Sequence, residues 1–100
     1  MDDRFHRLEA ESRPAIENPP SYYFDNNLFF TFITDSYGVA NRHWIGLSQM
    51  MWSSDYAHTG TDWPRSWNTI ERHFEGVPPN EKRTILADNF IRVYGFPQAN

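Results

Sequence analysis

Two short apolar runs lie sixteen residues apart in this chain. The first is Leu28-Phe29-Phe30-Thr31-Phe32-Ile33 and the second is Met50-Met51-Trp52-Ser53-Ser54. The first is nearly continuous in hydrophobicity rather than alternating, which suits a strand covered on both faces, as in a parallel sheet. Between the runs the pattern turns helical from Tyr37 to Gly46. Val39, His43 or Trp44, and Leu47 share one side, and Gly46 is the expected stop. Sixteen residues with a helix are enough for a parallel crossover, which should be right-handed. Two strands do not make a stable parallel sheet, however, and both outer edges would present unpaired backbone groups. The chain therefore reads as a piece of a larger α/β fold. Self-association, or pairing with another chain, is expected through the open strand edges.

The rest of the chain is helical or irregular. Residues 1–20 are polar and broken by Pro14, Pro19 and Pro20, with a short helix expected over 4–11. Ser21 is placed to cap a helix through Asp25, which Asn26-Asn27 would stop. After the second strand comes a turn-rich loop over 59–64. Trp67, Ile70 and Phe74 then recur at helical spacing, and Gly76 ends that helix. Val77-Pro78-Pro79 forms a joint. Asn80 or Glu81 starts the last helix, with Leu86, Phe90 and Val93 on its buried side, and Gly95 ends it. Glu81-Lys82-Arg83 is expected to be a solvated helix start. The order is β-α-β-α-α over one unit, residues 21–96, preceded by an irregular stretch, 1–20, and followed by a frayed tail, 97–100.

Composition excludes several functions. The net charge of −4 gives no basic patch for nucleic acid and speaks against an anionic membrane surface. With no cysteine there is no disulfide, thiolate metal site or Cys nucleophile. That composition fits the cytoplasm. No apolar run approaches the roughly 18 residues of a membrane span. The acidic start Met1-Asp2-Asp3 has no apolar h-region of a secretory signal. A 17% aromatic content argues against disorder. There is no Gly-rich phosphate loop and no Gly-x-Ser-x-Gly elbow.

Chemistry concentrates after the second strand, at Asp55-Tyr56-Ala57-His58 with Gly60 following. A strand that delivers a carboxylate and an imidazole to its C-terminal end puts two metal-competent groups where barrels of parallel strands do their chemistry. Taken alone, a strand-end aspartate more often caps a turn, and a loop histidine more often bonds backbone. The other histidines, His6, His43 and His73, read as surface residues. Phe29, Phe30, Phe32 and Trp67 read as core and helix packing. Trp63, in the loop after the strand, is the aromatic placed to wall a pocket.

These residues carry a family pattern. Asp25-Asn26-Asn27-Leu28-Phe29-Phe30-Thr31-Phe32 is followed by Met50-Met51-Trp52-Ser53-Ser54-Asp55-Tyr56-Ala57-His58. Thr61-Asp62-Trp63-Pro64 comes next, and Ala87-Asp88-Asn89-Phe90 with Val93-Tyr94-Gly95-Phe96 closes it. Over residues 20–96 this resembles the C-terminal end of the amidohydrolase-related metal-dependent hydrolases, which include aminocarboxymuconate-semialdehyde decarboxylase and the resorcylate-type decarboxylases. The resemblance implies the C-terminal β-α-β-α-α portion of a TIM (β/α)8 barrel, incomplete in this chain, with the two runs as seventh and eighth strands. It implies that Asp55 is catalytic, as a metal ligand or as the base beside the metal, and that His58 and Trp63 face substrate. It further implies a divalent metal, Zn or Mn, and a small-molecule substrate that undergoes hydrolysis at C–N or C–O or non-oxidative decarboxylation. This chain departs from the family at Ala57, where proline is usual, and has no His-x-His pair among its histidines. The alternative is a catalytically silent fragment that acts only as an assembly element.

Overall fold

The computed structural model describes residues 1–8, 12 and 15–97. Its elements are α1 (Asp2–Arg7), α2 (Pro20–Asn27), β1 (Phe30–Phe32), α3 (Ser36–Ala40), α4 (Arg42–Ile45), β2 (Met50–Trp52), α5 (Ser66–His73), α6 (Pro79–Arg83) and α7 (Asn89–Tyr94). A single turn of tighter helix over Leu47–Gln49 leads into β2. β1 and β2 pair in parallel with Phe30 opposite Met50, Thr31 opposite Met51 and Phe32 opposite Trp52. This is the crossover that the spacing of the two apolar runs requires, with strands shorter than the runs themselves.

One face of this ribbon carries the core. Val39, Met50, Ile70, Phe74 and Ile85 form a buried cluster, with Phe32, Trp52 and Leu86 packed against it. Phe32, Met50 and Trp52 share that face because side chains alternate along a strand. Ile70 and Phe74, four residues apart in and just after α5, present one side of a turn to it.

The last helical stretch departs from the expected face. Leu86, Phe90 and Val93 assume an unbroken 3.6-residue period. Instead, Thr84–Asp88 winds as a wider π turn between α6 and α7. Such a turn inserts a residue and rotates the buried face. Ile85 and Asn89 therefore point inward, while Phe90 is 45% exposed and stacks with Tyr94 and Phe96. Asn89 Nδ2 donates to Leu47 O and to Met50 O, both at 2.8 Å. Gln49 works from the other side, with Nε2 donating to Leu28 O at 2.9 Å and to Phe24 O. Gly46 closes α4 at φ 118°, where a Cβ would meet Gln49 Oε1 at 2.1 Å, so the stop must be glycine.

Other expectations are corrected by local chemistry. The helix of Tyr37–Gly46 is two helices broken at Asn41, whose Nδ2 donates to Tyr37 O at 2.9 Å and competes with the helical ladder. α2 starts at Pro20, pre-set for a first helical position, and not after a Ser21 cap. Ser21 N–H instead donates to Asp2 Oδ1 at 2.8 Å, so α1 caps α2 from outside. Glu81 is not solvated: it is 16% exposed and pairs with Arg42 at 2.6 Å, joining α6 to α4. Trp67 stands 72% exposed on α5, away from the core. The helix expected over 4–11 covers Asp2–Arg7, and residues 9–11 lie outside the described residues, as do 98–100 of the expected frayed tail.

Asn89→Ala leaves two strand-end carbonyls without their donor. It should cost about 1–3 kcal/mol, read as a lower urea midpoint of the chain. The Asp2 carboxyl is held below its ordinary value of 3.8 by the Ser21 hydroxyl and then by the Ser21 N–H. Depression of a folded carboxyl means that the contact stabilises above that value and is lost as pH falls through the folded one. Protection of the Ser21 amide, its exchange measured against the intrinsic rate at each pH, should therefore fall below pH 3.8, and Asp2→Asn should abolish that change in protection.

Candidate active site

β2 ends at Trp52, and the ladder runs one residue further, with Ser53 N–H donating to Phe32 O at 2.9 Å. Trp52 Nε1–H donates to Ile33 O at 3.1 Å and ties the two strand ends together. The chain then turns sharply. Asp55 sits at φ 52°, a left-handed conformation that Asp tolerates better than most residues. Its N–H donates to Ser53 Oγ at 3.2 Å, and its carbonyl accepts from His58 N–H at 2.8 Å. This turn carries His58 back over Asp55, and Nδ1 comes to 3.2 Å from Asp55 Oδ2. Both side chains are more than half exposed, Asp55 53% and His58 69%.

The loop beyond is stapled to the strand. Thr61 Oγ1–H donates to Ser54 O, and the same oxygen accepts from Trp63 N–H at 3.2 Å. Trp63 packs edge-on against Tyr56 with ring centroids 5.6 Å apart at 71°. It also borders a cavity of about 310 Å³ with Trp52, Ser54, Trp67 and Leu86. Asp62 leads into α5: Oδ1 accepts from Ser66 Oγ–H at 2.8 Å, and its carbonyl accepts from Arg65 N–H.

Of the residues the sequence singles out, the fold brings Asp55 and His58 together. Trp63 lies in the same loop, but its cavity is lined by neither of them. A larger cleft, about 830 Å³, lies at the far α1–α2 corner against Ile16, Tyr23, Phe24 and Leu28. Among the described residues, no group of three or more His, Asp or Glu converges on one point. Tyr56, Gly60 and Thr61 stand in the sequence motifs but carry no role there; their contacts with Trp63, His58 and Ser54 emerge only in the folded loop.

A parallel βαβ unit with a carboxylate and an imidazole at the strand's C-terminal end belongs to the α/β class whose chemistry sits outside those ends. A family model described as amidohydrolase matches residues 6–96. The chain belongs to the amidohydrolase family. Its members fold as TIM barrels and generally use divalent metals, and the two strands and their helices are consistent with part of such a barrel. No curated protein matches the chain. Among the described residues, no helix is long and apolar enough to cross a membrane.

Thr61→Val keeps the shape of the side chain and removes the staple to Ser54. The expected loss is about 0.5–1.5 kcal/mol. Weaker cross-peaks between the Tyr56 and Trp63 rings should accompany it in NMR spectra.

Proposed function

We propose that the chain is the C-terminal segment of a metal-dependent amidohydrolase-family barrel, on the branch that resembles aminocarboxymuconate-semialdehyde decarboxylase. The observation that supports this reading is Asp55: a carboxylate in a left-handed turn two residues past the end of a parallel ladder, with an imidazole 3.2 Å away. Non-glycine residues at positive φ cluster at functional sites, where the surrounding turn holds them. The reaction class is hydrolysis of a C–N or C–O bond, or non-oxidative decarboxylation, of a small molecule. Asp55 is the catalytic residue, and His58 and Trp63 are the residues that face substrate. A cytoplasmic setting fits a chain without cysteine.

The donor set does not complete a metal centre. Zinc in catalytic sites takes three protein ligands and leaves a fourth position open. Asp55 offers one, and among the described residues no group of three or more His, Asp or Glu converges on a point, so a Zn or Mn ion would need further ligands. A bound divalent ion supplies Lewis acidity. Asp55 itself offers a carboxylate able to take a proton, and the loop around it offers Trp63 as a wall.

A second reading rests on the sheet. β1 pairs only with β2 among the described residues, and a groove of about 790 Å³ at Phe30, Phe32, Trp44 and Ile45 flanks it. Tyr37 and Trp44 beside it are 79% and 91% exposed. Such an edge suits pairing with a second chain, in which the segment acts for assembly and not for catalysis.

Two measurements separate the readings. The isolated chain should retain well under one zinc or manganese per molecule after dialysis and should self-associate in sedimentation. A strand ending in a His-x-His pair should be encoded next to it. Co-expressed with that product, the pair should hold metal stoichiometrically and lose it with Asp55→Ala. Stoichiometric assembly that binds no metal would favour the silent element.

A further inference from the structure

Arg65 stands just before α5, and Asn68, Thr69 and Arg72 lie within it. Their spacing of i, i+3, i+4 and i+7 puts all four on one side of the helix. With Asp62 they line a polar cavity of about 480 Å³ that neither Asp55 nor His58 borders. Among the described residues, Arg65 and Arg72 make no ion pair. The side chains of Asn68 and Thr69 likewise make no hydrogen bond there, although the backbone N–H of each donates to Arg65 O. Asp62 has the opposite need. Its Oδ1 accepts from Ser66 Oγ–H at 2.8 Å, whereas its Oδ2 is buried with no donor. A buried acceptor left unbonded is costly.

The cavity thus joins several unused donors to one unused acceptor. A simple carboxylate ligand brings two oxygens and no proton to give. A tetrahedral oxyanion that keeps one O–H answers both needs: its bare oxygens accept from guanidinium and amide groups, and its hydroxyl donates to the carboxylate. Arginine forks match phosphate oxygens in geometry and charge. Two guanidiniums against one carboxylate also leave this cavity cationic within a chain of net charge −4. We propose that the cavity binds inorganic hydrogen phosphate, with Arg65 and Arg72 holding its oxygens and its P–O–H donating to Asp62 Oδ2. Sulfate has the same shape and charge but no proton, so it would set an oxygen lone pair against the carboxylate. This site stands apart from the metal-centre reading and does not rest on it.

Calorimetric titration of the 100-residue chain at about pH 8 tests the assignment with three dianions: inorganic phosphate, sulfate and methyl phosphate. At that pH inorganic phosphate keeps one O–H, whereas the ester, with a second pKa of about 6, has none. Phosphate should bind about tenfold or more tighter than the other two, the worth of one hydrogen bond to a charged group. Arg65→Ala with Arg72→Ala changes only exposed side chains and should abolish phosphate binding with the far-ultraviolet circular dichroism unchanged. Arg83→Ala, which removes an arginine paired with Asp88 elsewhere, should leave binding as it is. Asp62→Asn can still accept from Ser66 and can donate from its amide, so it should bring sulfate up to the level of phosphate. Phosphate binding that is absent, or that survives loss of both arginines, overturns the site. Sulfate or methyl phosphate bound as tightly as phosphate by the unsubstituted chain overturns the contact with Asp62.

Discussion

Two side-chain amides clamp the start of β2, and the rest of the unit is arranged around that clamp. Asn89 reaches from α7 to the carbonyls of Leu47 and Met50, while Gln49 reaches back to those of Phe24 and Leu28. Both residues are 3% exposed. A buried carbonyl without a donor is costly, so these bonds fix where the strand begins and which helix covers it. They also set the polarity of the unit. One end of β2 is closed by buried amides, and the opposite end opens into the loop of Asp55, His58 and Trp63. Rigidity at the first end is what allows a sharp turn at the second to keep its place relative to the sheet.

What was legible in the sequence follows from how far each signal acts. The two strands and their crossover depend on local hydrophobicity and on chain length, and both could be read directly. The place of Asp55 just past a strand, two residues beyond the last ladder bond at Ser53, could be read from the same local signal. The π turn could not, because it alters the period on which a helical face is counted; Phe90 and Ile85 thus exchange roles. Nor could Glu81, since its burial depends on Arg42, thirty-nine residues earlier. The capping of α2 by Asp2 is likewise a contact between distant segments. Tyr56 and Trp63 meet only because Thr61 folds the loop back on Ser54.

The sheet and the site fall short in the same direction. Parallel sheets are stable when both faces are covered and several strands share the ladder. Here one face has a core, β1 is flanked by a groove, and aromatic side chains stand in water at Tyr37 and Trp44. A metal centre needs three or more donors, and the strand end supplies a carboxylate and one imidazole. In a barrel, strands added beside β1 would cover the first deficit, and the ends of those same strands would supply the second. Strands added beside β1 would thus answer both at once, which is why an oligomer without metal and an assembled pair with metal are such different outcomes.

The turn at Asp55 decides which of its groups can act. At φ 52° the backbone folds back within three residues, so the imidazole of His58 and the carboxylate of Asp55 face each other across one turn. Nδ1 meets two groups there, the Asp55 carboxylate and the Gly60 N–H, each at 3.2 Å. A short loop with one glycine thereby holds the carboxylate and the imidazole of Asp-x-x-His side by side at the open end of β2.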